Sequence, residues 1–284
     1  MRLTEHFQKL KEALSRSWLK KEATNFNSAS AAITPGSAYY SGILESKTHL
    51  LDITSESAAL SLAMSHADPM VSEVITLVRG EFIPNPLVVK ILADHARRTG
   101  LKIHYSVYDE SMKLLFELKD ASSTYYSPKT DRLERISGWK PRHNSVMLDL
   151  NRPVDEQLRE CAKKGMETHF TSNTGSLYGS AVLAGNRIYF GGVYSSYEKR
   201  LNLHAEMAAC IGAFADGNTA ISKVAIISTK FNDSLPSVCG CCRQFLIEIQ
   251  QKTGMPITLV MFTLDGSAQR EVTLDDALPD AWSS

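Results

Sequence analysis

Shifted against itself by 150 positions (204 − 54), the chain of 284 residues falls into register with itself. Tyr39-Tyr40-Ser41-Gly42 lies on Tyr189-Phe190-Gly191-Gly192, and Leu51 to Ala59 lies on Leu201 to Ala209 without a gap. Ser72-Glu73-Val74 lies on Ser222-Lys223-Val224. After a small insertion the offset becomes 154 (245 − 91), placing Ile91-Leu92 on Phe245-Leu246, Thr99-Gly100 on Thr253-Gly254 and Ile103 on Ile257. Matches that keep their order along the chain indicate a duplication. Whatever fold one half takes, the other half must also be able to take.

Each half reads as one element order. In the second, Glu156–Lys164 is helical, and Ser176–Leu183 and Arg187–Tyr194 are strands joined at Gly185-Asn186 as a hairpin. A helix over His204–Phe214 follows, rich in alanine, then a β-branched strand over Val224–Ser228. A second helix over Cys239–Lys252 stops at Gly254 and leads to strand Ile257–Phe262. The first half repeats this with strands near 28–34 and 37–44, helix 54–66, strand 73–79, helix 86–98 and strand 101–107. The order β-β-α-β-α-β predicts an α/β fold, a mixed sheet covered by helices, built twice. Residues 121–152, with Ser122, Ser123, Ser127, Pro128, Ser137, Gly138 and Pro141, read as linker. The domains expected are therefore 1–120 and 153–284.

Lysine plus arginine number 31 and aspartate plus glutamate 31, so no global basic footprint points to nucleic acid. No apolar run approaches the length of a membrane span. The N-terminal stretch lacks the apolar segment of a signal peptide; Leu3, Phe7, Leu10, Leu14 and Trp18 recur at helical spacing instead, as on a helix packed against the body. Three of the five cysteines lie within four positions, which is no extracellular disulfide framework, and a reducing cytoplasm is expected.

The chemistry concentrates in Leu203-His204-Ala205-Glu206 and Pro236 to Gln244. Cys239 and Cys242, three apart on one helical turn, project from the same face, and a helix N-terminus stabilises thiolates. His204 opens the other helix, so two helix N-termini would converge at the strand ends. One imidazole and two thiolates are a zinc ligand set that leaves a fourth position for water. Glu206 then serves as the acid/base rather than as a ligand. Taken singly, the Cys-x-x-Cys pair could equally be a redox dithiol or half of a structural zinc clamp, and Glu206 a solvated carboxylate. Cys241 points away from its neighbours and reads as a packed thiol.

These residues resemble the cytidine deaminase superfamily, whose signature is H-x-E followed by P-C-x-x-C. Cys239-Gly240-Cys241-Cys242-Arg243-Gln244 is similar to the C-G-x-C-R-Q of the free-nucleoside branch, and Leu278-Pro279-Asp280-Ala281-Trp282 to the L-P-x-x-F ending. The resemblance covers residues 154–282, the first half joining only through the repeat. It implies two tandem cytidine-deaminase-like α/β/α three-layer domains, one zinc ion on His204, Cys239 and Cys242, and an arginine, Arg243, that hydrogen-bonds the zinc thiolates. It places Trp282 over the bound base, though a core-anchored C-terminal aromatic fits as well. Ala205, Ser237, Val193 and Ser195 fall at the other positions expected to face substrate.

Two departures bear on the substrate. Val238 stands where the family has proline directly before the first cysteine, and Val193 and Ser195 stand where it has the Asn-x-Glu that holds the ribose. In the first half Thr54, Asn85 and Val88 replace the three metal ligands, leaving only Glu56 of the set. That half is expected to be metal-free and structural.

The expected activity is hydrolytic deamination of a cytosine-type base: zinc-bound hydroxide attacks C4, Glu206 moves the protons and ammonia leaves. The expected substrate is a nucleoside or nucleoside-like compound. An alternative is a base in single-stranded DNA or RNA, for which Tyr194, Tyr197, Lys199 and Arg200 would form a basic aromatic groove, although a solvated loop is the commoner use of such a cluster. A further alternative is a non-catalytic zinc or dithiol protein. No membrane partner is expected, and a homodimer is.

Overall fold

A computed structural model describes residues 3–18, 26–47, 51–124, 133, 136, 138–171, 175–196 and 202–278. The chain divides into two compact units. The first comprises Met1–Ala63, Ala67–Arg142 and Ser195–Asn202; the second comprises Met64–His66, His143–Tyr194 and Leu203–Ser284.

The first unit runs α1 (Leu3–Ser15), β1 (Asn27–Ile33), β2 (Ala38–Gly42), α2 (Ser55–Ser65), β3 (Glu73–Arg79), α3 (Pro86–Thr99), β4 (His104–Asp109) and β5 (Leu114–Leu118). Its sheet has the order β2-β1-β3-β4-β5, with β3 and β4 parallel and the other pairs antiparallel. The second unit runs β6 (Ser145–Met147), α4 (Val154–Glu167), β7 (Tyr178–Ala184), β8 (Arg187–Gly192), α5 (Ala205–Ala215), β9 (Ile221–Ser228), α6 (Gly240–Thr253), β10 (Thr258–Phe262), β11 (Gln269–Thr273) and α7 (Leu274–Ala277). Its sheet order is β11-β10-β9-β7-β8-β6, with β9 and β10 parallel. Without β6, that order is the first unit's.

The registers agree residue for residue. Ser30 pairs with Thr76 as Ser180 pairs with Ile226, and Val74 pairs with Tyr105 as Val224 pairs with Leu259. The α/β class expected from sequence is the class found, a mixed sheet with helices packed on it in each unit. Strands β5, β6 and β11 were not expected. Their residues are mostly exposed or half-buried, so no run of buried apolar side chains marks them. β6 and a short 3-10 turn (Ala121–Ser123) lie in the stretch read as linker.

Burial explains the helices. In α4, Leu158, Cys161, Ala162 and Gly165 form a stripe at helical spacing that packs on the β7–β9 face with Ala181, Ile188, Phe190, Ala225 and Ile227. α1 does the same in the first unit, Phe7, Leu10, Ala13 and Leu14 meeting Ala29, Ala31, Ile75 and Leu77. Leu3, expected on that stripe, is exposed, and Trp18 lies beyond the helix, bridging to Leu44. α5 is buried from Ala205 through Phe214, as a helix between a sheet and further structure must be. No helix among the described residues is long and apolar enough to cross a membrane.

Hairpin β7–β8 turns on Gly185-Asn186, Gly185 taking the positive φ of 59° that such two-residue turns require. Beside it α4 lies backbone to backbone on the sheet. A Cβ at Gly179 would stand 2.0 Å from the Ala162 carbonyl oxygen and 2.4 Å from Met166 N, and one at Gly192 2.5 Å from the Gly165 carbonyl oxygen. Only hydrogen fits there.

The first unit also holds a fully buried histidine. His95 Nε2 bonds the Pro69 carbonyl oxygen at 2.9 Å, and burial, with the nearby Arg98 charge also contributing, lowers its pKa to about 4 against the opposing effect of that hydrogen bond. Unfolded, the ring takes up a proton near 6.5. The unfolded state therefore binds more protons between those values, and stability present above pH 6.5 is lost as pH falls towards 4. The loss expected is about 3 kcal/mol, from roughly 2.5 pH units at about 1.36 kcal/mol each. Denaturant titrations at pH 7 and pH 5 should show about 2 kcal/mol of this loss in the wild type and markedly less in His95→Gln.

Candidate metal centre

Two helix N-termini build the site. His204 is the N-cap of α5 and Cys239 the N-cap of α6, with almost the same backbone angles (φ −73°, ψ 162° and φ −70°, ψ 161°). Neither side chain caps its helix. His204 instead turns its Nδ1 to Cys239 Sγ at 3.2 Å and Cys242 Sγ at 3.3 Å. The entry to His204 is held by Tyr194, whose backbone pairs in both directions with Leu203 (2.9 and 2.8 Å). The Tyr194 ring stacks on Phe170, centroids 5.3 Å apart and planes within 8°.

In the first unit the corresponding positions cap their helices. There Thr54 precedes α2 and its Oγ1 accepts from Ser57 N at 3.2 Å, while Asn85 caps α3, its Oδ1 accepting from Leu87 N at 2.9 Å. Good capping residues occupy the sites of His204 and Cys239. The second unit thus forgoes two caps, each worth about 1 kcal/mol, in order to aim three donors at one point. Cys239→Asn is accordingly expected to raise the denaturant midpoint of the metal-stripped protein, by about 1 kcal/mol of stability, while lowering its metal affinity. A lower midpoint in chelator would contradict this.

The donor atoms of His204, Cys239 and Cys242 all lie within 4.8 Å of one another, so the three could hold a metal ion. A tetrahedral ion about 2.3 Å from sulfur and about 2.0 Å from nitrogen separates the two donors by roughly 3.6 Å. The observed spacings are slightly tighter, and a donor set of one imidazole and two sulfurs fits zinc with a fourth position left open. The protonation balance suits it too. Hydrogen bonding from Cys242, and then from His204, pulls the Cys239 thiol down to about 3 against the opposing effect of burial. Cys242 moves the other way, through the same hydrogen bond and its own burial. Both sulfurs must be thiolates to ligate a metal, so binding releases protons.

Glu206, the second residue of α5, is 3% exposed. Burial is the main cause pushing its carboxyl above the usual carboxylate range, with Cys239 adding to it and His204 opposing. Cys242 lies within hydrogen-bonding reach of it.

The other residues singled out from sequence are placed less uniformly. Ala205 is fully buried at the start of α5, and Val238 is buried beside Cys239. Ser237 is exposed, its hydroxyl 3.4 Å from the Val238 carbonyl oxygen. Val193 acts through its backbone, its carbonyl accepting from Phe170 N at 2.8 Å. Ser195 belongs to the first unit, where its carbonyl accepts from Arg98 Nη1. Arg243, expected on the thiolates, donates from Nη1 to the Ala277 carbonyl at the end of α7 instead; its Nε is buried with no hydrogen-bond partner among the described residues. Trp282, Tyr197, Lys199 and Arg200 lie outside the described residues. Tyr194, expected with the last three in a basic aromatic cluster, is 1% exposed and so offers no open stacking face. Sequence reasoning missed Phe170, whose partnership with Tyr194 leaves no periodic signal.

No protein-family model matches the chain. Among solved structures it is similar to a cytidine deaminase from Burkholderia pseudomallei (22% identity, 46% of this chain and 100% of that one, TM-score 0.41). It is also similar to cytidine deaminases from Mycobacterium tuberculosis (23%, 47% and 100%, TM-score 0.39) and Mycobacterium leprae (22%, 45% and 100%, TM-score 0.37).

Proposed function

We propose that the second unit is a zinc-dependent hydrolytic deaminase of a cytosine-type base, acting on a nucleoside or nucleoside-like compound. The observation that carries this reading is the convergence of His204 Nδ1, the Cys239 and Cys242 sulfurs and the buried Glu206 carboxyl at two helix N-termini. His204, Cys239 and Cys242 would hold the zinc, which when bound supplies Lewis-acid activation of water.

The chain's own chemistry then falls to Glu206. Hydrolysis at C4 adds water and releases ammonia, so protons must move from the water to the ring nitrogen and to the departing amine. A buried carboxyl whose proton affinity is raised can take the first proton and deliver it at the next step. The enclosing α5 and α6 keep bulk water from competing for it.

The missing Asn-x-Glu clamp at Val193 and Ser195 supports a substrate other than plain cytidine, with the sugar held differently or replaced. The first unit, with Thr54 and Asn85 capping helices, is read as metal-free. Ammonia release from zinc-loaded protein should be measured on cytidine, 2′-deoxycytidine, cytosine-containing antibiotic nucleosides and single-stranded oligonucleotides. Turnover of a monomeric nucleoside is expected. Turnover of oligonucleotides alone would replace this reading with the polynucleotide one, and none at all would remove deamination.

A further inference from the structure

Glu56, the one member of the metal-site set that the first unit keeps, has partners there. Its Oε1 accepts from Thr76 Oγ1 at 2.9 Å and from the Tyr105 hydroxyl at 2.8 Å. Ser55 Oγ lies 3.5 Å from Oε2. The network continues from Thr76 to Ser30 at 2.7 Å, from Ser30 to Ser55 at 2.8 Å and from Ser55 to Ser28 at 3.0 Å. All of these side chains are buried.

The matching registers identify their counterparts around Glu206. Thr76, opposite Ser30, corresponds to Ile226, opposite Ser180; Tyr105, beside Val74, corresponds to Leu259, beside Val224. Ser55 corresponds to Ala205 at offset 150 (205 − 55). Ile226 and Leu259 are buried. Their neighbours Ala225, Ile227 and Val260 pack on the α4 face, so strand alternation sets Ile226 and Leu259 on the opposite face of the sheet. Ser180, the hydroxyl that both units keep, donates to the Ala225 carbonyl at 2.6 Å.

We infer that Ile226 and Leu259 are positioning residues for Glu206: they present hydrocarbon where the first unit presents hydroxyls to Glu56, so these two sheet positions offer Glu206 no hydroxyl that would fix its carboxyl away from the reacting groups. The inference rests on the deaminase reading. A carboxylate that accepts two hydroxyl hydrogen bonds is held by them in one rotamer. The same carboxylate at the same helix position is structural where the sheet offers threonine and tyrosine, and chemical where it offers isoleucine and leucine.

Ile226→Thr transplants one hydroxyl, and Ile226→Val supplies nearly the same shape without it. With zinc-loaded full-length protein and, as probe, the nucleoside of the panel above that it turns over fastest, Ile226→Thr is expected to lower kcat by about 10-fold or more, part of the roughly 10²–10⁴-fold that general acid–base catalysis contributes. KM and zinc content stay near wild type, and Ile226→Val restores turnover. Leu259→Tyr serves as the second variant if Ile226→Thr does not fold. A crystal structure of the variant reads the contact without reference to activity, the new hydroxyl being expected within about 3.2 Å of the Glu206 carboxyl. A hydroxyl that points elsewhere, or one that makes the contact with kcat unchanged, overturns the inference. A wild-type chain that releases no ammonia while the contact forms overturns the deaminase reading instead, and with it the role but not the contact.

Discussion

Glu206→Gln is expected to slow ammonia release by about 10²–10⁴-fold, the contribution of a positioned general acid–base group, with the metal still bound. Glutamine preserves shape and burial but can neither take nor give a proton. The three donors His204, Cys239 and Cys242 are untouched by the change, so metal content serves as the internal control. Because the carboxyl is buried at 3% exposure, bulk water has little access to substitute for it. A fall of less than about tenfold would assign the proton transfers to another group, and loss of metal together with activity would make Glu206 a ligand rather than an acid/base. The wild-type and variant rates on the same nucleoside, with zinc counted in each sample, decide among these.

The second large effect is on folding. Gly179→Val is expected to destabilise the second unit by at least about 3 kcal/mol, the upper range for overpacking in a core. The first atom added would stand 2.0 Å from the Ala162 carbonyl oxygen and 2.4 Å from Met166 N, both backbone atoms of α4. Side chains could move aside, but a helix backbone moves only as a unit. The retreat of α4 would open the core formed by Leu158, Cys161, Ala162 and Phe190. Gly254→Ala, at a site where nothing lies within 4 Å, is the comparison: it meets only the strain of its φ of 67°. Denaturant unfolding followed by circular dichroism should show the larger loss at position 179. Equal losses at the two sites would mean that α4 is not pinned to the sheet as described.

The metal centre was legible because its information is local and chemical. His204-Ala205-Glu206 and Cys239 to Cys242 are short local stretches, and residue type at fixed spacing points to the three donors that lie within 4.8 Å of one another. The internal repeat made the fold legible for a different reason, since each half checks the reading of the other. What was not legible depends on partners distant in sequence. The Glu56 cluster joins Ser28, Ser30, Ser55, Thr76 and Tyr105 from four elements, and no window along the chain contains it. Edge strand β11, Gln-Arg-Glu-Val-Thr, carries almost no apolar signal because it has little to bury. The Val193 and Ser195 carbonyls accept hydrogen bonds from Phe170 N and Arg98 Nη1, contacts about which residue identity says little. Arg243 illustrates the limit of a motif: the residue is in place, but its guanidinium reaches Ala277.

The capping comparison gives the metal site a physical history. Thr54 and Asn85 are what helix stability favours at those two positions, and His204 and Cys239 are what a metal requires. Two units sharing one topology thus differ at these positions, helix caps in one and three clustered donors in the other.

The account turns on whether these three residues bind zinc, and native mass spectrometry of the full chain measures this directly. One zinc per chain is predicted, retained in Glu206→Gln and absent from Cys242→Ala. A purified wild-type chain that takes up no zinc, with Cys239 and Cys242 cycling reversibly between dithiol and disulfide, would contradict it.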